Sequence, residues 1–135
     1  MKQKFFACEH CGTIVSMIRD GGAPLMCCGE KLKELIPGVT EGAAEKHIPV
    51  FQVNGDNVTV CVGSAEHPMT PEHSIQWVAL QTTQGAQYKT LRSDNRPEAC
   101  FALCGGDKVE SVYAYCNLHG LWMASQQKEG GEKAD

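Results

Sequence analysis

The chain has 135 residues, 42% hydrophobic and 21% charged, the make-up of a folded globular protein with room for one ordinary domain or for a small one followed by a larger one. A net charge of −4 argues against a nucleic-acid partner, since domains that bind nucleic acid carry a basic footprint. No apolar run approaches the roughly 18–20 residues of a membrane span, and Phe5-Phe6-Ala7 is too short for a signal-peptide core, so the sequence places the protein in the cytoplasm, away from membranes.

In that reducing compartment the eight cysteines are expected to be mostly free thiols, and spaced cysteines then mean metal binding before disulfides. Residues 1–36 hold too little apolar material for a free-standing core, so a staple is expected, and a metal is one. Cys8-x-x-Cys11 puts two sulfurs on one tight turn, and the adjacent pair Cys27-Cys28 would complete a tetrahedron of zinc or of thiolate-bound iron. Disulfides between the two pairs are the competing reading. Neighbouring side chains of an extended stretch point apart, so the backbone must bend at 27–28 for both sulfurs to face one ion. His10, inside the first turn, reads as exposed loop filler.

Residues 37–46 read as a linker, broken by Pro37, Gly38 and Gly42. From His47, expected to open the first strand, the pattern becomes strand-like. "HIPVFQV" and "NVTVCVG" flank Asn54-Gly55-Asp56, a hairpin signal because glycine and asparagine accept positive φ angles. "SIQWVALQ", "QYKTL", "CFALC" and "KVESVYAY" follow between turn residues, the last alternating with period two. Six or seven such strands predict an immunoglobulin-like antiparallel β-sandwich over 47–125, with a polar tail at 126–135. The chain as a whole is read as mainly β.

A lone histidine is more often a satisfied polar residue than a ligand. Here His67 and His73 sit at the two ends of a proline-containing loop, "HPMTPEH", and Cys116 and His119 share one tight turn, "CNLH". With His47 they come from three chain segments and could converge on one metal, an inference that spacing alone leaves open. Cys61, Cys100 and Cys104 match no ligand spacing and are read as buried small-hydrophobe packing.

The runs "EKHIPV", "VGSAEHPMTPEHSIQWV" and "GGDKVESVYAYCNLHGLW" resemble the superoxide reductase (neelaredoxin) domain, and "CEHCG…CCG" resembles the desulforedoxin module. Together they are similar to a two-iron desulfoferrodoxin over nearly the whole chain. One departure is Met123, where lysine is frequent in that family. It is read as surface variation.

The resemblance implies an enzyme, a superoxide reductase that converts superoxide by one electron to hydrogen peroxide in oxidative-stress defence. It implies two irons per chain, working between Fe2+ and Fe3+, and no organic cofactor. Cys8, Cys11, Cys27 and Cys28 would hold the first iron. His47, His67, His73 and His119 would lie in a plane around the catalytic iron, with Cys116 axial. Five ligands suit iron, whereas zinc usually settles at four. Lys46 would steer the anionic substrate, and Glu45 would take the sixth position of the resting ferric ion. Without the resemblance, Glu45 and Lys46 read as a solvated charge pair. Backbone amides of Leu118 and His119 would point at the Cys116 sulfur. Rubredoxin or a similar protein is the implied electron donor, and a homodimer the implied assembly. The competing function is a rubredoxin-like electron-transfer protein without catalytic turnover.

Overall fold

The structure, a computed structural model, describes residues 3–38 and 44–125, and of residue 45 only the backbone. The chain divides into two compact units between Ile36 and Pro37.

In the first unit β1 (Lys4–Ala7) pairs antiparallel with β2 (Ile14–Met17), and β5 (Lys33–Glu34) adds to the other edge of β1. A separate ladder joins β3 (Met26–Cys27) to β4 (Glu30–Lys31). Cys27 pairs with Glu30, so Cys28 and Gly29 form a two-residue turn, and both have positive φ, +53° and +79°. That is the backbone requirement of a type I′ hairpin, and it supplies the bend that two adjacent cysteines need. Phe5 and Cys8 are the buried side chains of this unit among the described residues. An apolar core this small does not stabilise a fold by itself.

The second unit starts from α1 (Ala44–His47), a single helical turn closed by Ile48 N–H donating to Ala44 O, 2.9 Å. The stretch expected to be a linker therefore ends in helix, and His47 closes that turn instead of opening a strand. Strand pairing begins two residues later, at Pro49. Seven strands follow: β6 (Pro49–Asn54), β7 (Asn57–Val62), β8 (Ile75–Thr82), β9 (Ala86–Thr90), β10 (Glu98–Ala102), β11 (Val109–Cys116) and β12 (Gly120–Ser125). They form two antiparallel sheets, ordered β10-β7-β6 and β12-β11-β8-β9, the seven-strand β-sandwich expected. The first hairpin pairs Asn54 with Asn57, so Gly55-Asp56 is its turn, with Gly55 at φ +60°.

The core between the sheets is built by alternation. Val58, Val60 and Val62 of β7 and Ala99 and Phe101 of β10 face Val78 and Leu80 of β8 and Val112, Ala114 and Cys116 of β11. A register shift between Val109 and Ser111 lets Val109 join the even-numbered residues of β11 in the core. The same alternation turns Cys61 and Cys100 outward, and Cys104 lies beyond β10 in a turn. All three thiols are exposed, which corrects their reading as buried packing. The residues expected to form the tail, 126–135, lie outside the described residues, as do 39–43 of the expected linker.

Candidate metal centres

In the first unit, Cys8 follows β1 and Cys11 closes a turn held by Gly12 N–H on Cys8 O and Cys8 N–H on Thr13 O, both 2.9 Å. The β3–β4 hairpin brings Cys27 and Cys28 opposite. The four sulfurs lie within 4.8 Å of one another, and all four thiols are free. A tetrahedral ion with metal–sulfur bonds of about 2.3 Å sets its sulfurs about 3.8 Å apart. Cys11–Cys27 at 3.6 Å and Cys27–Cys28 at 3.9 Å fit that figure. The Thr13 hydroxyl and amide hold Cys11 down at about 6, while hydrogen bonding to the Cys11 and Cys8 sulfurs pushes Cys27 up to about 12. Four thiolates cannot all ionise so close together without a cation between them. His10 is exposed and pairs with Glu30 at 3.0 Å, away from the sulfurs' role.

The second cluster forms at one end of the sandwich. Pro49 at the start of β6 pairs with Val62 at the end of β7, and Cys116 at the end of β11 lies between Ile75 of β8 and Gly120 of β12. His47 precedes β6, His67 follows β7, His73 precedes β8, and His119 lies in the turn between β11 and β12. Convergence is thus a consequence of where the strands stop. The ligand atoms of His47, His67, His73 and Cys116 lie within 4.8 Å of one another. His119 joins them through Nδ1, 3.1 Å from His47 Nε2 and 3.9 Å from Cys116 Sγ.

The four imidazoles form a closed square. Neighbouring centroids are 4.6 Å apart for His47–His67, 4.7 Å for His67–His73, 5.1 Å for His73–His119 and 4.8 Å for His119–His47. The His47–His73 diagonal is 6.4 Å. A square of nitrogens about 2.1 Å from a central ion has edges of about 3 Å; the His47–His67 and His47–His119 edges are each 3.1 Å. His73 Nε2 is buried without a hydrogen-bond partner, an omission that native proteins rarely make unless a ligand or ion satisfies the atom. The donor set fits a metal.

Burial favours the neutral form of His67 and His73, which leaves their lone pairs for a cation. His67 is held down to about 4, chiefly by burial and then by the other rings, against the opposite pull of the Pro68 carbonyl. His73 is lowered by burial first, then by His119, His47 and Lys46. The Pro68 oxygen lies 2.7 Å from His67 Nδ1. A carbonyl only accepts, so Nδ1 carries the proton and Nε2 faces inward bare. Cys116 is fully buried and part of the hydrophobic core, and His47 and His67 are buried too, whereas His73 and His119 are half-buried.

The Cys116 sulfur contacts the His119 ring, and among the described residues the amides of Leu118 and His119 are not donors to it, contrary to expectation. Lys46 is exposed, and the side chain of Glu45 lies outside the described residues. Met123 is half-buried opposite Tyr113, so it is less superficial than expected. Sequence reasoning missed two further residues. Trp122 stacks on His47 (5.0 Å, 27°) and donates from Nε1 to His119 O at 2.9 Å. Gly63 sits at φ +87°, and a Cβ there would meet Lys46 O at 2.7 Å, so only glycine lets the α1 end lie against β7. Both lie inside runs quoted above, next to ligands.

Two family models match this chain, one in each unit. The family model "Desulfoferrodoxin, N-terminal domain" matches residues 1–35 and "Desulfoferrodoxin" matches 39–125. The desulfoferrodoxin of Syntrophotalea carbinolica is 41% identical over 123 residues, covering 91% of this chain and 96% of the relative. That of Nitratidesulfovibrio vulgaris is 42% identical over 124 residues, covering 90% and 94%. The crystal structure of the superoxide reductase from Treponema pallidum superposes with a TM-score of 0.79 at 42% identity, over 93% of this chain and 100% of that one. With a four-cysteine cluster in the first matched region and a histidine–cysteine cluster in the second, the chain belongs to the desulfoferrodoxin family.

Proposed function

We propose that this protein is a superoxide reductase with two irons per chain. The observation that carries the reading is the square of four imidazoles beside a buried thiol. Five donors suit iron and leave a place for a small substrate. Iron bound there supplies the Fe2+/Fe3+ couple by which superoxide gains one electron and, with two protons, leaves as hydrogen peroxide.

The chain's own residues prepare that reaction. His47, His67, His73 and His119 hold the metal as neutral donors, and Cys116, which must lose its proton to bind, is fully buried. The hydrophobic core behind Cys116 excludes water from the thiolate, so substrate enters over the half-buried rings of His73 and His119. Lys46 stands exposed beside His47 and already acts on His73. We assign it the steering of the anion across a protein of net negative charge. Glu45, on the strength of its place in the Glu-Lys-His run, would offer its carboxylate to the bound iron. The Cys8, Cys11, Cys27 and Cys28 sulfurs would hold the first iron.

Eight free cysteines suit the reducing cytoplasm, where the activity would serve detoxification. Among the described residues no helix is long and apolar enough to cross a membrane. A rubredoxin-type protein is the electron donor in this reading, and the protein is a homodimer.

Mixing anaerobically reduced protein with a pulse of superoxide tests the reading. Iron-loaded protein should change its visible absorption within milliseconds, and metal-free protein should not. Equal inertness of both would remove the activity.

A further inference from the structure

The His67 ring is oriented by the Pro68 carbonyl and the His119 backbone is held by Trp122 Nε1, whereas among the described residues His73 Nε2 has no hydrogen-bond partner to aim its ring. Its backbone is fixed on one side by Thr70, whose Oγ1 accepts from His73 N–H at 3.1 Å and whose amide donates to His73 O at 3.0 Å. The other fixing comes from across the site. Asn117, the residue after Cys116, accepts from Ser74 N–H on Oδ1 at 3.0 Å and donates from Nδ2 to Glu72 O at 2.9 Å. Its own amide donates to Ser74 O at 3.3 Å. One side chain thus grips the residues immediately before and after His73.

We infer that Asn117 is a positioning residue that ties the His73 loop to the Cys116 strand end, so that the bare Nε2 of His73 points at the metal. This rests on the proposed metal ligation, not on superoxide chemistry. An asparagine amide is suited to the task, because it offers a donor and an acceptor about 2 Å apart to two peptide groups at once. Alanine removes both bonds. Aspartate keeps the acceptor for Ser74 and loses the donor to Glu72 O, where a carboxylate oxygen would face a carbonyl.

The test uses the iron-loaded full chain and two readouts, iron release to a ferrous chelator and hydrogen exchange by mass spectrometry. Removing a partner that orients a ligand weakens metal binding about 10- to 100-fold, so Asn117→Ala should release the histidine-site iron faster by that order. Exchange should rise in the peptide spanning residues 68–75 and stay unchanged in β7 and β10. The absorption of the four-cysteine site should persist and serves as the internal control. Asn117→Asp should fall between wild type and alanine. Wild-type iron release in Asn117→Ala, or exchange raised equally in both sheets, would overturn the inference. If the alanine protein does not fold, Asn117→Asp decides alone, and release within twofold of wild type counts against it. Failure of the superoxide reaction in wild type would sink the proposed function but leave these readouts standing.

Discussion

Lys46 adds a positive charge to the field that already keeps His73 neutral, and it does so from an exposed position. Replacing it with alanine removes no proposed ligand, so its effect is on encounter. The second-order reaction with superoxide should slow by roughly ten- to a hundredfold at low ionic strength, within the range that electrostatic focusing supplies. Added salt should slow wild type more steeply than Lys46→Ala, as screening removes the same advantage. Pulse radiolysis at two ionic strengths measures both, and equal rates at low salt would take Lys46 out of the mechanism. The buried rings make a second prediction. His67 and His73 have folded values below the unfolded 6.5, so the unfolded chain takes up protons first as the pH falls. The metal-free second unit should hold its full stability above 6.5 and lose it progressively between 6.5 and about 4. Urea unfolding followed by the fluorescence of Trp77 and Trp122 checks this, and greater stability at pH 5 than at pH 7.5 would contradict it.

At the scale of elements, the β3–β4 hairpin joins local conformation to metal binding. Cys28 is the one non-glycine residue with positive φ among those described, a conformation that costs an L-residue roughly 1–2 kcal/mol. The sulfur it delivers to the cluster compensates. Cys28→Ser should abolish the sulfur-to-iron absorption of the first site while leaving the histidine site's spectrum and its reaction with superoxide largely intact. Loss of both would mean that the two units depend on each other. The bend itself was legible in the sequence, because two adjacent side chains cannot face one ion from an extended chain. So were the sandwich strands, whose alternation is local. The outward Cys61 and Cys100 were readable as well, lying between Val60 and Val62 and between Ala99 and Phe101. The buried-cysteine default overrode that pattern. α1 was not legible, since four residues are too few to leave a helical period. Neither was the stacking of Trp122 on His47 or the grip of Asn117 on Glu72 and Ser74, because contacts between segments 40 or more residues apart in the chain have no local signature.

For the whole molecule, the first unit bears on assembly. Phe5 is buried within its own unit. Ile18 is 95% exposed, Met26 59% and Ile36 48%, a large apolar share for a unit with so small a core. Covering them with a second copy would stabilise it. Sedimentation equilibrium at micromolar concentration should return about twice the 14.7 kDa chain mass, and a clean monomer would refute the dimer. In the proposed reaction the square of imidazoles beside Cys116 reduces superoxide instead of dismuting it. Product stoichiometry tests this most directly, with an electron donor in excess and superoxide delivered in known amount. One hydrogen peroxide per superoxide, with no oxygen evolved from it, is the predicted result. One peroxide per two superoxides, with one oxygen released, would contradict it.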